Sequence, residues 1–305
     1  MSLALEVTQL SKAFARVQAV DQVSFSVSAG EVVALLGPNG SGKTTCLRCI
    51  AGLLRPQSGL IALNGHDLQR DYRRARMQFS YLPQQASFPP SLRVSEVLEF
   101  HARLRGVPLA RTGQALHESG VSREDAGRFI GQLSGGMRQR VSLAVACLSG
   151  APLMLLDEPT ANLDPEMALN FRRIAREWRA AGRAIVLSTH VLTDVEELAD
   201  RVVVLVAGRK VAEQSIGAMR AQLSESARLR VDVGQATERH CAEALAAGAI
   251  EARANSHAVV IMAPVERRMA ILERLRAIGE VNRFDTEQPS LEDIYLQYVK
   301  EGQNE

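Results

Sequence analysis

A glycine-rich segment between a predicted strand and a predicted helix constrains this chain more than any other feature of its sequence. The segment consists of Gly37, Pro38, Asn39, Gly40, Ser41, Gly42, Lys43 and Thr44. It matches the pattern G-x-x-x-x-G-K-[ST], with a strand pattern at Glu31–Leu36 before it and a helical pattern near Lys43–Leu54 after it. Glycines let the backbone N–H groups of such a turn converge on phosphate oxygens, and the helix N-terminus adds a partial positive charge. This setting favours a phosphate-binding loop over an ordinary glycine-rich turn.

Three side chains of this loop and the helix after it have predicted roles in binding a nucleotide. Lys43 is expected to reach the β- and γ-phosphates, and the Thr44 hydroxyl is expected to ligate Mg²⁺. Thr45 is expected to contact the α-phosphate.

Two adjacent carboxylates follow another apolar run, Leu153–Leu156. We expect Asp157 to hold Mg²⁺ through water and Glu158 to orient or deprotonate the attacking water. Such a pair, taken alone, is more often a solvated turn. A nucleotide site needs both a metal holder and a way to position water, so the phosphate loop favours the catalytic interpretation.

The order of the sequence patterns indicates two domains. The first two-thirds of the 305 residues alternate short β-branched runs with helical patterns, which is typical of an α/β fold with a mostly parallel sheet. Helical patterns alone occupy about residues 85–150 and predict a helical subdomain. From residue 227 the pattern restarts as βαββαβ and ends in an amphipathic segment, which indicates a small ferredoxin-like α+β domain. The predicted domains are therefore residues 1–226 and 227–305.

Composition and charge limit the cellular compartments and the classes of binding partner that can be expected for this chain. Hydrophobic residues make up 46% and the net charge is +2, so the chain is globular and its charge does not by itself indicate a nucleic-acid or lipid partner. The longest apolar runs fall far short of the ~20 residues of a membrane-spanning helix, and no export signal is visible. We therefore expect a cytoplasmic protein with reduced thiols at Cys46, Cys49, Cys147 and Cys241. Cys46 and Cys49 share a helix face, which suggests buried apolar thiols rather than a metal site.

A short motif before the two carboxylates carries a family resemblance. Its residues are Leu133, Ser134, Gly135, Gly136 and Met137. They resemble the signature motif of ATP-binding-cassette (ABC) proteins, which implies a P-loop NTPase fold, ATPase activity, and ATP and Mg²⁺ as cofactors. A serine and two glycines at a helix N-terminus form a second anion site. By this resemblance the motif closes over the γ-phosphate of ATP bound to a second copy, so that two chains form a head-to-tail dimer.

Further residues match the family in the expected order along the chain, although each is a weak signal alone. Phe14 is similar to the aromatic residue that stacks on adenine, and Asp164 to the D-loop aspartate at the dimer interface. Gln84 resembles the Q-loop glutamine, which implies a metal and water ligand that senses the γ-phosphate. His190 resembles the switch histidine, which holds that phosphate together with Glu158. The resemblance thus implies Lys43, Gln84, Glu158 and His190 as the catalytic set.

The chain end resembles a particular group of export ATPases. The segment Ser290–Tyr295 and the ferredoxin-like pattern are similar to those of single-cassette drug, antibiotic and copper-linked exporters. The resemblance implies export through a separate membrane-spanning permease, with this chain peripheral on the inner face of the membrane. The insert from Gln85 to about Ile130 would receive the coupling helices of that permease. A copper-linked transporter of nitrous oxide reductase maturation is one alternative, and lipid or drug export fits equally.

Two other function classes were weighed against a transport ATPase. ATPases of the family that act on DNA or the ribosome usually carry long coiled coils, zinc motifs or two cassettes, and the sequence shows none of these. No nucleic-acid partner is therefore expected. A regulatory module that has lost catalysis is disfavoured by the presence of Lys43, Asp157, Glu158 and His190. The transported substrate is not encoded here, because its path lies in the permease.

Overall fold

The computed structural model describes residues 2–85, 87–161, 163–279, 281–287 and 290–304. Its strands are β1 (Leu3–Phe14), β2 (Val17–Ser28), β3 (Val32–Leu36), β4 (Ser58–Leu63), β5 (His66–Asp67), β6 (Phe79–Leu82), β7 (Leu153–Asp157), β8 (Ala184–Thr189), β9 (Arg201–Val206), β10 (Arg209–Ser215), β11 (Ser226–Val233), β12 (Glu251–Asn255), β13 (Ala258–Pro264) and β14 (Val281–Glu287).

Helices lie between these strands, with 3₁₀ turns at Ile130–Gln132 and Val265–Arg267. They are α1 (Lys43–Ile50), α2 (Tyr72–Met77), α3 (Val94–Arg105), α4 (Ala110–Ser119), α5 (Arg123–Ala126), α6 (Gly135–Cys147), α7 (Pro165–Ala180), α8 (Leu192–Leu198), α9 (Ile216–Glu225), α10 (Glu238–Ala246), α11 (Arg268–Arg276) and α12 (Leu291–Asn304).

The chain divides into two compact units. One contains the residues up to Gln214 together with those from Tyr298 onward, and the other is Ser215–Gln297. Among the described residues, no helix is both long and apolar enough to cross a membrane.

A mostly parallel sheet forms the centre of the first unit, which confirms the predicted α/β fold. Its strand order is β10-β9-β3-β8-β7-β6, and β3 runs parallel to β8 and β9 while β7 runs parallel to β6 and β8. Strands β3, β7 and β8 are buried along their whole length. Burial on both faces explains why their sequences are continuously apolar rather than alternating.

The register of this sheet brings the ends of several strands to one edge. Leu36 at the end of β3 lies opposite Thr189 of β8, and Asp157 at the end of β7 lies opposite Ser188. Open α/β sheets bind ligands outside the carboxyl ends of their strands. The polar groups that follow β3, β7 and β8 are therefore neighbours in space.

Helix α1 packs in the core between the central sheet and an antiparallel sheet of order β2-β1-β4-β5. It ends at Ile50, four residues before the predicted end, and Gly52 follows with a left-handed φ of 66°. A left-handed glycine commonly ends a helix. Cys46 and Cys49 are fully buried free thiols in this helix, and burial raises the pKa of Cys49 to about 11.

Between β6 and β7 the chain forms the predicted helical insert. Helices α3 to α6 lie there, and the two strands on either side of the insert pair directly with each other. The insert is therefore an excursion from one sheet edge. Helix α6, which begins at Gly135, carries the signature-like motif at its N-terminus.

The second unit has the predicted βαββαβ order and a ferredoxin-like strand arrangement. Its antiparallel sheet has the order β12-β13-β11-β14. Alternate residues of β11 and β13, among them Leu229, Val231 and Ile261, are buried in one core with residues of α10 and α11, such as Ile271. This alternation is the expected pattern for a sheet with helices on one face.

The end of α12 packs on β10 of the first unit. The Tyr298 hydroxyl donates a hydrogen bond to Gln214 Oε1 at 2.8 Å. A Cβ on Gly302 would lie 2.4 Å from Val211 Cγ1, so only glycine allows this approach. These contacts give Tyr298 and Gly302 a packing role.

Candidate nucleotide-binding site

The phosphate-binding loop has a shape that only glycine permits at two of its positions. Gly42 has a φ of 97°, and a Cβ there would lie 2.2 Å from the carbonyl oxygen of Ala19. A Cβ on Gly37 would lie 2.2 Å from the carbonyl oxygen of Leu205. Both glycines therefore press the loop against neighbouring strands. Gly40, with a φ of 81°, has no atom near its Cβ position and faces open space.

A cavity of about 450 Å³ lies over this loop. It is lined by Val17, Gln18, Ala19, Asn39, Gly40, Ser41, Gly42, Lys43, Thr44, Thr45, Gln84, Glu158 and Ala207. The loop, the Q-loop glutamine and the predicted catalytic carboxylate thus border one space. The cavity volume is in the range of small-molecule and cofactor sites.

The groups at the base of the cavity suit an anionic ligand. Lys43 is 5% exposed, and its ammonium donates to the carbonyl oxygens of Gly37 at 2.7 Å and Pro38 at 3.1 Å. Burial lowers the pKa of Lys43, and the carboxylates of Glu158 and Asp157 oppose that shift. The buried Ser41 hydroxyl has no hydrogen-bond partner within the described residues. A buried hydroxyl without a partner is costly, and a phosphate oxygen would satisfy it.

Asp157 is the most enclosed carboxylate of the site. It is fully buried and its Oδ1 accepts hydrogen bonds from Thr44 Oγ1 at 2.9 Å and Ser188 Oγ at 2.7 Å. The Tyr81 hydroxyl donates to Oδ2 at 3.2 Å. Burial and the nearby Asp157 charge raise the pKa of Tyr81 to about 12, so that hydroxyl keeps its proton. The predicted metal pair, Thr44 and Asp157, is therefore in direct contact.

Glu158 joins the two remaining predicted catalytic side chains. Its Oε2 accepts a hydrogen bond from Gln84 Nε2 at 2.9 Å, and its Oε1 lies 3.4 Å from His190 Nδ1. The φ of Glu158 is 47°, which is uncommon for a residue with a side chain. Its backbone N–H donates to the carbonyl and the hydroxyl of Ser188 at 3.1 and 3.0 Å. This turn directs the carboxylate toward the cavity.

The donor set fits Mg²⁺ together with a nucleotide. A hydroxyl and a carboxylate in contact provide hard oxygen ligands, and Mg²⁺ in proteins is typically held by one or two such groups plus phosphates and water. Gln84, which also lines the cavity, adds an amide oxygen. The residues present therefore match the predicted metal set of Thr44, Gln84 and Asp157.

Other predicted residues lie outside this cavity. Phe14 ends β1, is 46% exposed, and has the Lys12 ammonium 5.2 Å from its ring centroid. The residues from Leu133 to Met137 lie at the start of α6, where Ser134 Oγ accepts a hydrogen bond from the Met137 backbone N–H at 3.2 Å. Asp164 similarly caps α7 by accepting from Met167 N–H at 2.8 Å. Asn162, two residues before Asp164, lies outside the described residues.

The structure adds residues that sequence reasoning did not assign. Tyr81 and Ser188 fix Asp157. Ser188 directly follows the apolar run Ala184–Leu187, so its place at a strand end could have been inferred from the sequence, whereas no predicted strand included Tyr81. Thr160 and Asp194 form a buried hydrogen bond next to the site. Nothing in the local sequence distinguishes Asp194 from the surface acids of an ordinary helix.

Comparison of the amino-acid sequence with known proteins finds one family model and several relatives that agree with one another. A family model described as ABC transporter matches residues 20–161. The daunorubicin/doxorubicin resistance ATP-binding protein DrrA of Streptomyces peucetius is 33% identical over 96% of this chain and 91% of its own length. An uncharacterised ABC transporter ATP-binding protein, YxlF of Bacillus subtilis, is 35% identical over 97% and 99%. Nod factor export ATP-binding protein I of Ralstonia nicotianae is 36% identical over 68% and 66%.

Solved structures resemble the first unit. The structure of an ATP-binding subunit of an ABC transporter has a TM-score of 0.66 and 33% identity, covering 72% of this chain and 93% of that chain. The dimeric structure of MJ0796, a bacterial ABC transporter cassette, has a TM-score of 0.65 and 24% identity, covering 70% and 98%. The second likeness shows the fold alone.

Gly40, which faces open space, and Gly42, which is packed against Ala19, provide a test of the loop geometry. Gly40→Ala is expected to lower the free energy of unfolding by about 1 kcal/mol, because it adds only a left-handed alanine. Gly42→Ala is expected to lower it by about 2–4 kcal/mol, because its Cβ also meets the Ala19 carbonyl. Trp178, the only tryptophan, is buried in α7 of the first unit, so its fluorescence in urea reports that unit. Equal losses for the two variants would contradict this loop geometry.

Proposed function

The chain belongs to the ABC transporter ATP-binding family of ATPases, and from that premise we propose that it binds and hydrolyses Mg-ATP to drive export through a separate membrane permease. The observation that carries the proposal is the chain of contacts from Thr44 through Asp157, and from Gln84 through Glu158 to His190, beside one cavity. Metal holder, water-activating carboxylate and phosphate loop are all in reach of one nucleotide.

We propose the following roles in binding. The triphosphate occupies the cavity over residues 37–45, where the loop N–H groups and Lys43 contact its oxygens. The Lys43 ammonium now donates to two carbonyl oxygens, and exchanging these for phosphate oxygens gives it charged acceptors. Thr44, Asp157 and Gln84 would hold Mg²⁺, which would supply charge neutralisation at the phosphates. Phe14 stacks on the adenine ring.

Hydrolysis then depends on Glu158. Its carboxylate accepts the proton of a water molecule while the water oxygen attacks the γ-phosphorus, and ADP departs from the opposite side. Gln84 fixes one carboxylate oxygen through its amide, which leaves the carboxylate held in one orientation. His190 is half exposed beside the other oxygen and holds the γ-phosphate in place.

A complete site is proposed to need two copies of this chain. Leu133–Met137 do not line the cavity described above, although Ser134, Gly135 and the start of α6 form an anion site in their own right. In a head-to-tail dimer this helix end closes on the γ-phosphate held by the partner copy, and Asp164 lies in the interface. Each of two symmetric sites then combines elements of both chains.

The transport role rests on the relatives. DrrA is named as a drug-resistance ATP-binding protein, and the Ralstonia nicotianae relative as a Nod factor export ATP-binding protein. These names support export as the direction of transport. A permease subunit would place this chain on the inner face of the cell membrane, with residues 85–130 meeting its coupling helices. The copper-linked alternative has no support among these relatives, and no nucleic-acid partner is proposed.

Replacing the proposed base separates binding from chemistry. Glu158→Gln keeps size and hydrogen-bonding capacity, so ATP should still bind while hydrolysis falls by about 10²–10⁴-fold. Slow hydrolysis should trap two chains around two ATP molecules, visible as a doubled mass by size-exclusion chromatography with light scattering. Glu177→Gln, on the exposed face of α7, is the matched control and should behave as wild type. Normal turnover by Glu158→Gln would contradict the assignment of Glu158 as the base. A variant that stays monomeric with saturating Mg-ATP would contradict the proposed dimer.

The proposed domain roles are tested by truncation. All residues that line the cavity precede Gly208, so a 1–226 chain should bind Mg-ATP with an affinity close to that of the full chain. It lacks the α12 residues that pack on β10, and its thermal midpoint should therefore be lower. Fluorescent nucleotide titration and thermal unfolding measure the two effects. Failure of the folded 1–226 chain to bind nucleotide would refute the assignment of ATP binding to residues 1–226.

A further inference from the structure

A second buried carboxylate lies behind the proposed hydrolytic site. Asp194 is fully buried in the first turn of α8. Its Oδ2 accepts a hydrogen bond from the Thr160 hydroxyl, and its Oδ1 accepts one from Arg172 Nε at 2.8 Å. Arg172 also donates to Glu197 Oε1 at 3.2 Å. Asp194 is not among the residues that line the cavity.

Stability alone does not explain this arrangement. Removing a carboxylate and a guanidinium from water costs several kcal/mol for each ion, and apolar side chains of the same volume often stabilise a fold equally well. A buried pair does, however, restrain the relative positions of the elements that it joins, because its hydrogen bonds weaken steeply when their distance or angle departs from the optimum and no water can replace them. The segments that Asp194 joins therefore indicate what the buried pair holds in place.

Each partner of Asp194 belongs to a segment that carries a residue of the proposed mechanism. Thr160 follows Glu158 by two residues in the turn after β7. Asp194 itself follows His190 by four residues, at the start of α8. Arg172 lies on α7, whose first turn is capped by Asp164. One carboxylate thus joins the base segment, the histidine segment and the helix that begins at the D-loop.

The backbone at Glu158 makes such a restraint necessary. Its φ of 47° is a conformation that is unfavourable for a non-glycine residue and persists only where the surroundings enforce it. Ser188 holds the residue from the N-terminal side through two hydrogen bonds to its N–H. On the C-terminal side, the Thr160 hydroxyl and Asp194 provide the matching attachment.

We propose that Asp194 is a positioning residue for ATP hydrolysis: through Thr160 and Arg172 it sets the Glu158 carboxylate against His190 and against α7. The proposal rests on the proposed function, since it requires Glu158 to act on water. Without this attachment the turn relaxes, and the carboxylate and imidazole lose their 3.4 Å contact. Nucleotide binding is unaffected, because the phosphate loop and Asp157 are held by other bonds.

Substitutions at both ends of the hydrogen bond test the proposal in the full chain. Asp194→Asn keeps the shape but can satisfy only one of its two donors, so kcat for Mg-ATP should fall by about 10²-fold, the loss that a small misplacement of a catalytic group produces. Thr160→Val removes the hydroxyl at constant volume and should lower kcat by about tenfold or more, whereas Thr160→Ser should restore it. The dissociation constant for ATP should stay within about twofold in all three variants.

Asp200→Asn is the matched control. Asp200 lies just beyond α8 and, like Asp194, pairs with an arginine of α7, Arg179. Its other oxygen accepts a hydrogen bond from the Val32 N–H, which is remote in sequence from the Glu158 turn. Its kcat should remain close to the wild-type value. If Asp194→Asn does not fold, as judged by Trp178 fluorescence, the Thr160 pair carries the test.

Two results would overturn the proposal. In the first, folded Asp194→Asn and Thr160→Val keep wild-type kcat; in the second, ATP affinity falls in step with kcat, which indicates a merely structural role. Glu158→Gln, measured in parallel, distinguishes failure of the assigned base from failure of the positioning role of Asp194. Normal turnover in that variant would remove the assignment of the base, and this proposal with it. Loss of turnover in Glu158→Gln together with wild-type Asp194→Asn would refute the positioning role alone.

Discussion

A carboxylate without water around it must be hydrogen-bonded, and Asp157 meets this requirement by gathering the elements that make the site. Its partners come from the helix after the phosphate loop, from the end of β8 and from the end of β6, as Thr44, Ser188 and Tyr81. Three separate parts of the chain are therefore held to the end of β7 by one buried charge. The cavity exists where it does because these elements end together, and the position of Glu158, the next residue, follows from it.

The polar network and the apolar core depend on each other. Strands β3, β7 and β8 are buried along their whole length, so that Asp157 and Glu158, 0% and 9% exposed, lie at an edge backed by apolar core. Exclusion of water strengthens each hydrogen bond and charge interaction there, and it makes an unsatisfied group costly. The Ser41 hydroxyl, which has no partner among the described residues, and the Lys43 ammonium bonded to backbone carbonyls indicate a site that is organised for an anion. Asp194 extends the same principle to the elements behind the site.

Local patterns were sufficient to predict much of this fold and site, for physical reasons. The loop from Gly37 to Thr44 follows from its glycines, because no other residue fits at Gly37 or Gly42. Because β7 and β8 are buried on both faces, the segments before Asp157 and Ser188 are continuously apolar, and this pattern made them recognisable as strands. The end of α1 at Ile50 was predicted four residues too late, since helix periodicity continues past the left-handed Gly52. Asp194 and Tyr81 were not identified, because long-range burial gives a carboxylate or a phenol its role and a single sequence does not record it.

The claim that each hydrolytic site is shared by two chains is tested most directly by mixing two inactive variants. Lys43→Ala removes the phosphate contact and Ser134→Arg blocks the signature helix, so neither protein alone should hydrolyse Mg-ATP. In mixed dimers one site combines Lys43 of one chain with Ser134 of the other and is intact, while the second site carries both defects. An equal mixture should therefore recover about a quarter of the wild-type rate if dimers form at random and the sites act independently. A mixture that remains as inactive as its separate components would contradict the shared site.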